Sequence, residues 1–199
     1  MKILIIGGHG TIGSRIVEAL QEKHNVITAG RSSGDFIVDF ENEQSIEEMY
    51  TQISEIDAVV SIAGEAKWAP FSELTEKDFY VGIRSKLMGQ VNLVRIGKDY
   101  INKGGSFTLS TGILADHPVL NTTSAAMVNG AIHSFVKAAA LELSHARINA
   151  VSLGVVEDAY EKYQDYFPGH NPVATSRVIN AYLKSIFGAN TGQIIRDYA

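Results

Sequence analysis

Gly7, Gly10 and Gly13 follow directly on the apolar run Ile3-Leu4-Ile5-Ile6. They precede an amphipathic segment in which Ile12, Ile16, Ala19 and Leu20 fall on one helix face. A buried-type strand, a glycine turn and a helix start, in that order, make the geometry that holds a diphosphate. Glycines let the backbone turn and approach the phosphates without an intervening Cβ, and the unpaired N–H groups of the helix supply positive potential. A glycine pattern alone is a weak signal, because loops also use glycine simply to reverse direction; its place between strand and helix gives it weight. The run Gly7, Gly8, His9, Gly10, Thr11, Ile12 and Gly13 is therefore the candidate phosphate site, with His9 either over the phosphates or facing solvent.

A second group of residues bears on which dinucleotide is bound. The apolar run Asn25–Ala29 ends in Gly30-Arg31-Ser32-Ser33. At such a place a carboxylate grips the ribose 2′-hydroxyl of NAD, whereas an arginine accommodates the 2′-phosphate of NADP. Arg31 offers a planar, permanently charged fork suited to phosphate, with Ser32 beside it, so NADP is expected in preference to NAD. The plain alternative for Arg31 is an ordinary surface charge. Asp35 is near by counting, but it comes after the turn and is expected to open the third strand.

The elements that must position these residues alternate along the chain. Short runs rich in Val and Ile recur at Ile3–Ile6, Asn25–Ala29, Phe36–Val38, Ala58–Ile62, Phe107–Leu109, Ile148–Leu153 and Gln193–Ile195. Such runs suit strands buried on both faces. Between them lie helical patterns. Ile46, Met49, Tyr50 and Ile53 share a face from about Glu43, and Thr75-x-x-Asp78 opens a long pattern that reaches about Tyr100. Thr122 or Thr123 is placed to cap a helix with the stripe Val128, Ile132, Phe135, Ala139 and Leu143, and Ser176–Phe187 precedes the last strand. Alternation of this kind predicts an α/β fold, a doubly wound parallel sheet between two helical layers, with its ligand beyond the carboxyl ends of the strands.

Composition narrows the function classes. At 199 residues the chain is expected to form one domain over residues 1–199. A net charge of −5, with no basic run, favours neither nucleic acid nor an anionic membrane surface. Cysteine is absent, which excludes disulfides, thiolate metal sites and a cysteine nucleophile. No His/Asp/Glu grouping has metal-ligand spacing, so no metal is expected. After Met1-Lys2 only four apolar residues precede glycine, too few for a signal-peptide core, and no run approaches membrane-spanning length. A cytoplasmic address is the expectation.

Taken together, these segments make the chain resemble the short-chain dehydrogenase/reductase family from about Lys2 to Asp197. Asp39, in Val38-Asp39-Phe40, falls where the family places an aspartate that contacts adenine. Ser61-Ile62-Ala63-Gly64 stands for its Asn-Asn-Ala-Gly, and Asn149-Ala150-Val151-Ser152-Leu153-Gly154 is close to its Asn-x-Val-x-Pro-Gly near the nicotinamide. Thr191-Gly192-Gln193 matches its Thr-Gly-Gln. The resemblance implies a Rossmann fold, a nicotinamide cofactor, oxidoreductase chemistry on a small molecule, and Asp39, Ala63, Gly64 and Gly154 as further cofactor contacts.

The catalytic residues of that family do not carry over. Its members use a Tyr-x-x-x-Lys pair on the fifth helix, a serine at the end of the fifth strand and an asparagine on the fourth helix. The tyrosine exchanges a proton with the substrate oxygen, and the lysine lowers its pKa and binds ribose. Aligning Ala139-Ala140-Leu141-Glu142-Leu143 with the family's Leu-Ala-x-Glu-Leu puts Ala125 at the tyrosine and Asn129 at the lysine. No Tyr-x-x-x-Lys occurs anywhere in the chain, and Tyr80-x-x-x-Arg84 is on the wrong helix. Lys86, in Lys86-Leu87-Met88-Gly89, replaces the asparagine, and Thr111 or Ser110 retains a hydroxyl near the strand end. Asp158 falls where a threonine meets the nicotinamide amide. A positioned acid–base group contributes ~10²–10⁴-fold, so the usual carbonyl chemistry needs another donor.

Lys86 is the first replacement candidate, since an amine desolvated at a cofactor edge has a lowered pKa. A solvated helix lysine, or one bound to ribose, is its alternative. His117, in the loop after the fifth strand, is the second, against the plain reading of a surface histidine. Trp68 either walls the pocket or anchors a loop. Little chain is left for a substrate lid: Tyr160, Tyr163, Tyr166 and Phe167 lie in the only stretch between Gly154 and the next helix, to close over a small ligand or to pack down. Two functions stay open: an NADP(H)-dependent oxidoreductase with an altered proton donor, and a nonenzymatic dinucleotide-binding sensor or interaction protein. The family also pairs its fourth and fifth helices across a two-fold axis, which implies a homodimer or homotetramer; the apolar excess around Ser124–Leu143 agrees with this.

Overall fold

The apolar run at the amino end is a strand with no exposed side chain beyond Lys2. In this computed structural model, which describes residues 1–198, Lys2–Ile6 forms β1. Period-two alternation sends Leu4 and Ile6 into one core and Ile3 and Ile5 into another, one on each side of the sheet. β1 pairs in parallel with β2 (Asn25–Gly30) and with β4 (Ile56–Ser61). The short β3 (Phe36–Ile37), β5 (Ile101–Gly112), β6 (Arg147–Leu153) and β7 (Ile194–Asp197) complete a seven-stranded parallel sheet in the order β3-β2-β1-β4-β5-β6-β7.

Helices α1 (Thr11–Leu20) and α7 (Thr175–Phe187) cover one face, burying Ile16, Leu20, Val178, Tyr182 and Ile186 against Ile3, Ile5 and Val60. Helices α2 (Glu43–Gln52), α4 (Gly89–Gly97) and α5 (Thr123–Glu142) cover the other through Ile46, Met49, Tyr50, Leu93, Ile132 and Val136. This is the doubly wound Rossmann arrangement expected from the alternation. The strand order reverses between β1 and β4, so the carboxyl ends of those strands open the ligand crevice.

Three local expectations need correcting. The long helix predicted from Thr75 to Tyr100 is in three parts: α3 (Glu76–Gly82), a π-helical segment Ile83–Met88, and α4. The start is as expected, with Asp78 accepting from the backbone N–H and hydroxyl of Thr75 at 2.9 and 2.6 Å. Inside the helix, however, Gln90 donates to the carbonyl of Lys86 (3.2 Å) and to that of Ser110 (3.1 Å) and accepts from the Ser110 N–H (2.8 Å). Its amide thus ties the wide turn to β5. Thr122 holds the cap position of α5 and its carbonyl accepts from the Ala126 N–H at 2.8 Å, but its side chain makes no capping bond: the hydroxyl donates to the Val119 carbonyl at 2.6 Å. Asp35 does not open β3; it turns back to accept from the N–H and hydroxyl of Thr28 at 2.8 and 2.9 Å, pinning the β2–β3 turn. The stripe read on α5 holds: Val128 and Ile132 are buried with Val136, and Phe135, Ala139 and Leu143 pack partly buried against that core while lining the groove between α4 and α5.

Candidate functional site

The glycine turn is built as its spacing requires. A Cβ on Gly13 would lie 2.0 Å from the carbonyl oxygen of Gly7, so only glycine lets α1 start this close to the end of β1. Gly10 occupies the cap position of α1 and has no side chain to cap it, leaving the first N–H groups of the helix free for a ligand anion. His9 and Thr11 are exposed on this turn, and Ile12 lines the crevice beyond it.

Three cavities adjoin one another along the carboxyl edge of the sheet. The first, of about 300 Å³, is lined by Gly30, Arg31, Val38, Phe40, Ala63 and Ser85, among others. The central one, of about 620 Å³, includes Lys86, Ala125 and Asn129 and shares Gly64 and Glu65 with the first. The third, of about 240 Å³ and mostly apolar, is walled by Ile12, Thr111, Gly154, Val155 and Phe167 and shares Trp68, Gly112, Leu114 and Tyr163 with the central one. Shared walls make these one continuous cleft.

Arg31 stands at the rim of the first cavity, its guanidinium 3.7 Å from Glu65 and 3.9 Å from Glu41, all three exposed. Ser32, beside it, is exposed as well. Asp39 is flanked by two residues of the cavity wall, but its own carboxylate accepts from the Glu41 N–H at 3.0 Å. Residues that would face an adenosine there are Val38 and Phe40, the neighbours of Asp39 rather than Asp39 itself. Alternation along the chain explains the difference.

In the central cavity the two positions that the sequence aligns with the family's tyrosine and lysine appear together. Ala125 and Asn129 are one turn apart on α5 and both line the cavity. Asn129 is 3% exposed, and its side-chain oxygen has no hydrogen-bond donor among the described residues. Lys86 lines the same cavity from the π-helical segment. Lys86 is half-buried, and the desolvation of its ammonium pushes its pKa down to about 8, with no carboxylate offsetting the cost.

The hydroxyls expected nearby are committed elsewhere. Thr111 is 2.8 Å from Nε2 of His133, while Ser110 is 2.7 Å from the Tyr182 hydroxyl and donates to the Ser61 carbonyl. β5 runs past both residues, so it is the backbone of Gly112 that reaches the central cavity. His117 lines none of the three cavities; it is exposed, with its ring edge-on to Tyr198 at 5.7 Å. The adjacent Asp116, held by Arg196 at 2.6 Å, turns that loop toward β7. Asp158 pairs with Arg15 at 3.1 Å on the outer surface of α1. Trp68 both walls the cleft and anchors it, its ring 5.6 Å from those of Tyr163 and Tyr166. The aromatic stretch therefore packs down as the short α6 (Tyr160–Tyr163) and its flanking turns, and closes one side of the cavity. Glu65 carries no spacing signal in the sequence that would mark it as a cavity residue.

The family profile described as Enoyl-(Acyl carrier protein) reductase matches residues 9–181, most of the chain and all of the cleft except β1 and β7. The chain belongs to the short-chain dehydrogenase/reductase family. A short-chain dehydrogenase/reductase of Stachybotrys chlorohalonatus is 26% identical over 77% of this chain and 72% of its own length. Two further curated relatives are matched over 41% and 54% of theirs. Among solved structures, the protein lin1944 from Listeria innocua is 48% identical over the whole of both chains, with a TM-score of 0.97. A small-chain dehydrogenase in complex with NADPH is 27% identical over 99% of this chain and 96% of that one, with a TM-score of 0.88. The Rossmann reading of the sequence is thus borne out. Among the described residues no group of His, Cys, Asp or Glu is arranged to hold a metal, and no helix is long and apolar enough to cross a membrane.

Proposed function

We propose that this short-chain dehydrogenase/reductase is an NADP(H)-dependent oxidoreductase that interconverts a small carbonyl compound and its alcohol. One observation carries the reading: the cleft is continuous from Arg31 to the cavity at Lys86 and on to the apolar pocket at Gly154, where Ile12 of the glycine turn lines it. A dinucleotide of this family laid along it would meet Arg31 and Ser32 at its 2′-phosphate and Val38 and Phe40 at its adenosine. It would meet the N–H groups of Thr11, Ile12 and Gly13 at its diphosphate, and Ile12 and Gly154 at its nicotinamide. When bound, that cofactor supplies or accepts a hydride; the chain itself must orient the reacting carbon, exclude water and move a proton.

The Arg31 guanidinium at the rim supports NADP over NAD, although two carboxylates, Glu41 and Glu65, lie beside it. Exposed ion pairs at nearly 4 Å contribute about 0–1 kcal/mol, so the Arg31 contacts with Glu41 and Glu65 yield readily to a phosphate that accepts bidentate donation. The shape of the cavities supports a compact substrate: about 620 Å³, roofed by Trp68, Tyr163 and Tyr166, is within the range of small-molecule sites.

A second reading, a nonenzymatic dinucleotide-binding sensor, is favoured by one observation: Ala125 brings no titratable group to the cavity. Fluorescence titration with NADPH, followed by a panel of aldehydes and ketones, separates the two. Binding with turnover supports the oxidoreductase; binding with no turnover of any carbonyl contradicts it. The groove between α4 and α5, lined by Val91, Val94, Phe135, Ala139 and Leu143, supports a homodimer or homotetramer, and light scattering showing a monomer contradicts it. A cytoplasmic address completes the reading.

A further inference from the structure

We propose that Lys86 is the group that gives the substrate oxygen its proton, in place of the tyrosine that Ala125 displaces. This rests on the oxidoreductase reading above and names the residue that completes it.

Four observations converge on this side chain. First, its position is fixed from two sides. Gly64, at φ +112°, brings the backbone within reach of the Lys86 stem, such that a Cβ on Gly64 would be 2.7 Å from the Lys86 Cα and 3.1 Å from its Cγ. Gln90 holds the Lys86 carbonyl, which a regular helix would bond to a backbone N–H. Second, Lys86 sits in a six-residue π-helical segment, a costly irregularity that shifts the register of side chains by part of a turn and recurs at functional sites. Third, Asn129 lines the same cavity, and its buried side-chain oxygen has no hydrogen-bond donor among the described residues, a polar group left unsatisfied beside Lys86. Fourth, the other groups are unsuited. The charged and titratable side chains facing the cavity besides Lys86 are Glu65, Lys67, Lys162, Tyr163 and Tyr166. Glu65, Lys67, Lys162 and Tyr166 are exposed, and Tyr163 is held against Trp68 with the Lys162 ammonium 5.0 Å above its ring.

Burial makes the chemistry feasible. With its ammonium pushed down to about 8, Lys86 is protonated at neutral pH yet gives up a proton far more readily than an ordinary lysine. In the reducing direction the hydride adds to the carbonyl carbon, and the π pair of the C=O bond moves to oxygen. That oxygen takes a proton as one Lys86 N–H bond breaks; the neutral amine then recovers a proton from water. In the oxidising direction the amine accepts the hydroxyl proton.

The test uses two substrates that differ in their need for a proton. An aldehyde such as 4-nitrobenzaldehyde would leave a strongly basic alkoxide, whereas 9,10-phenanthrenequinone leaves a delocalised hydroquinone anion that tolerates the lack of a donor. Lys86→Met is expected to lose about 100-fold in kcat on the aldehyde while changing little on the quinone, and His117→Ala, outside the cleft, to keep both. Independently of turnover, acetic anhydride labelling of the free protein, read by mass spectrometry across pH, is expected to show Lys86 half-reactive near 8. The proposal is overturned if Lys86→Met retains aldehyde reduction, if His117→Ala loses it instead, or if Lys86 labels like an ordinary lysine. A wild-type protein that oxidises NADPH with neither substrate overturns both the oxidoreductase reading and this one. Activity that survives Lys86→Met overturns only the assignment of the donor.

Discussion

Gly64 and Lys86 meet at a backbone-to-stem contact that admits no side chain: a Cβ on Gly64 would fall 2.7 Å from the Lys86 Cα. The loop after β4 and the π-helical segment are thus in register with one another, and the cofactor end of the cleft is coupled directly to the cavity that holds Lys86.

Gly64→Ala should break that coupling. The substitution adds a methyl where none fits, at a φ of +112° that L side chains avoid, and strain of this kind costs about 1–3 kcal/mol. A fall in melting temperature of about 2–4 °C per kcal/mol is expected for a chain of this size, and differential scanning calorimetry reads it. An unchanged melting temperature would show that the loop relaxes freely.

Gly13→Ala tests the phosphate turn. Its Cβ would overlap the Gly7 carbonyl at 2.0 Å, so α1 must withdraw from the end of β1. NADPH affinity, measured by fluorescence titration, is expected to fall by at least about 10-fold, equivalent to about 1.4 kcal/mol. Retained affinity would place the diphosphate elsewhere.

The first glycine turn was legible because its chemistry is local, whereas Gly64 was marked only by its resemblance to the family's Asn-Asn-Ala-Gly. Strand, glycine and helix follow one another within the first twenty residues, and alternation of runs fixed the parallel sheet. The π-helical segment was not legible, since Ile83 and Leu87 continue an ordinary apolar pattern across it and the bonds that hold it come from Gln90 and Ser110. The partner of Thr111 was not legible for a similar reason: it walls the apolar end of the cleft as the strand end places it, but its hydroxyl meets His133, 22 residues on in α5. His117 follows Asp116, whose direction is set by Arg196 eighty residues away. In each case a contact distant in sequence decided what local pattern could not.

Lys86→Met should also stabilise the fold in a pH-dependent way. The folded-state ammonium is pushed down from 10.5 to about 8, so the unfolded chain binds more protons between those values and stability rises with pH there. The burden on the folded state is complete below about 8 and is relieved as pH rises through it. The variant is therefore expected to melt higher than wild type at neutral pH, with the gap narrowing above about 8. A gap independent of pH would mean that the amine is solvated.

Asp116 makes the opposite prediction in acid. Its hydrogen bonds from Arg196 and Tyr198 hold its carboxyl down at about 2, so its contribution is full above the ordinary value of 3.8 and is lost as pH falls toward about 2. Asp116→Asn should flatten the acid limb of the stability curve, and chemical denaturation at several pH values reads it. An acid limb as steep as that of wild type would contradict this.

The most direct measurement of the central claim is calorimetric titration of the wild-type protein and Arg31→Ala with NADPH and NADH. Wild type is expected to bind NADPH at least about 10-fold more tightly than NADH, a preference of about 1.4 kcal/mol, and Arg31→Ala to abolish that difference while leaving NADH affinity unchanged. Binding of neither nucleotide, or a preference for NADH, would contradict the account of the cleft.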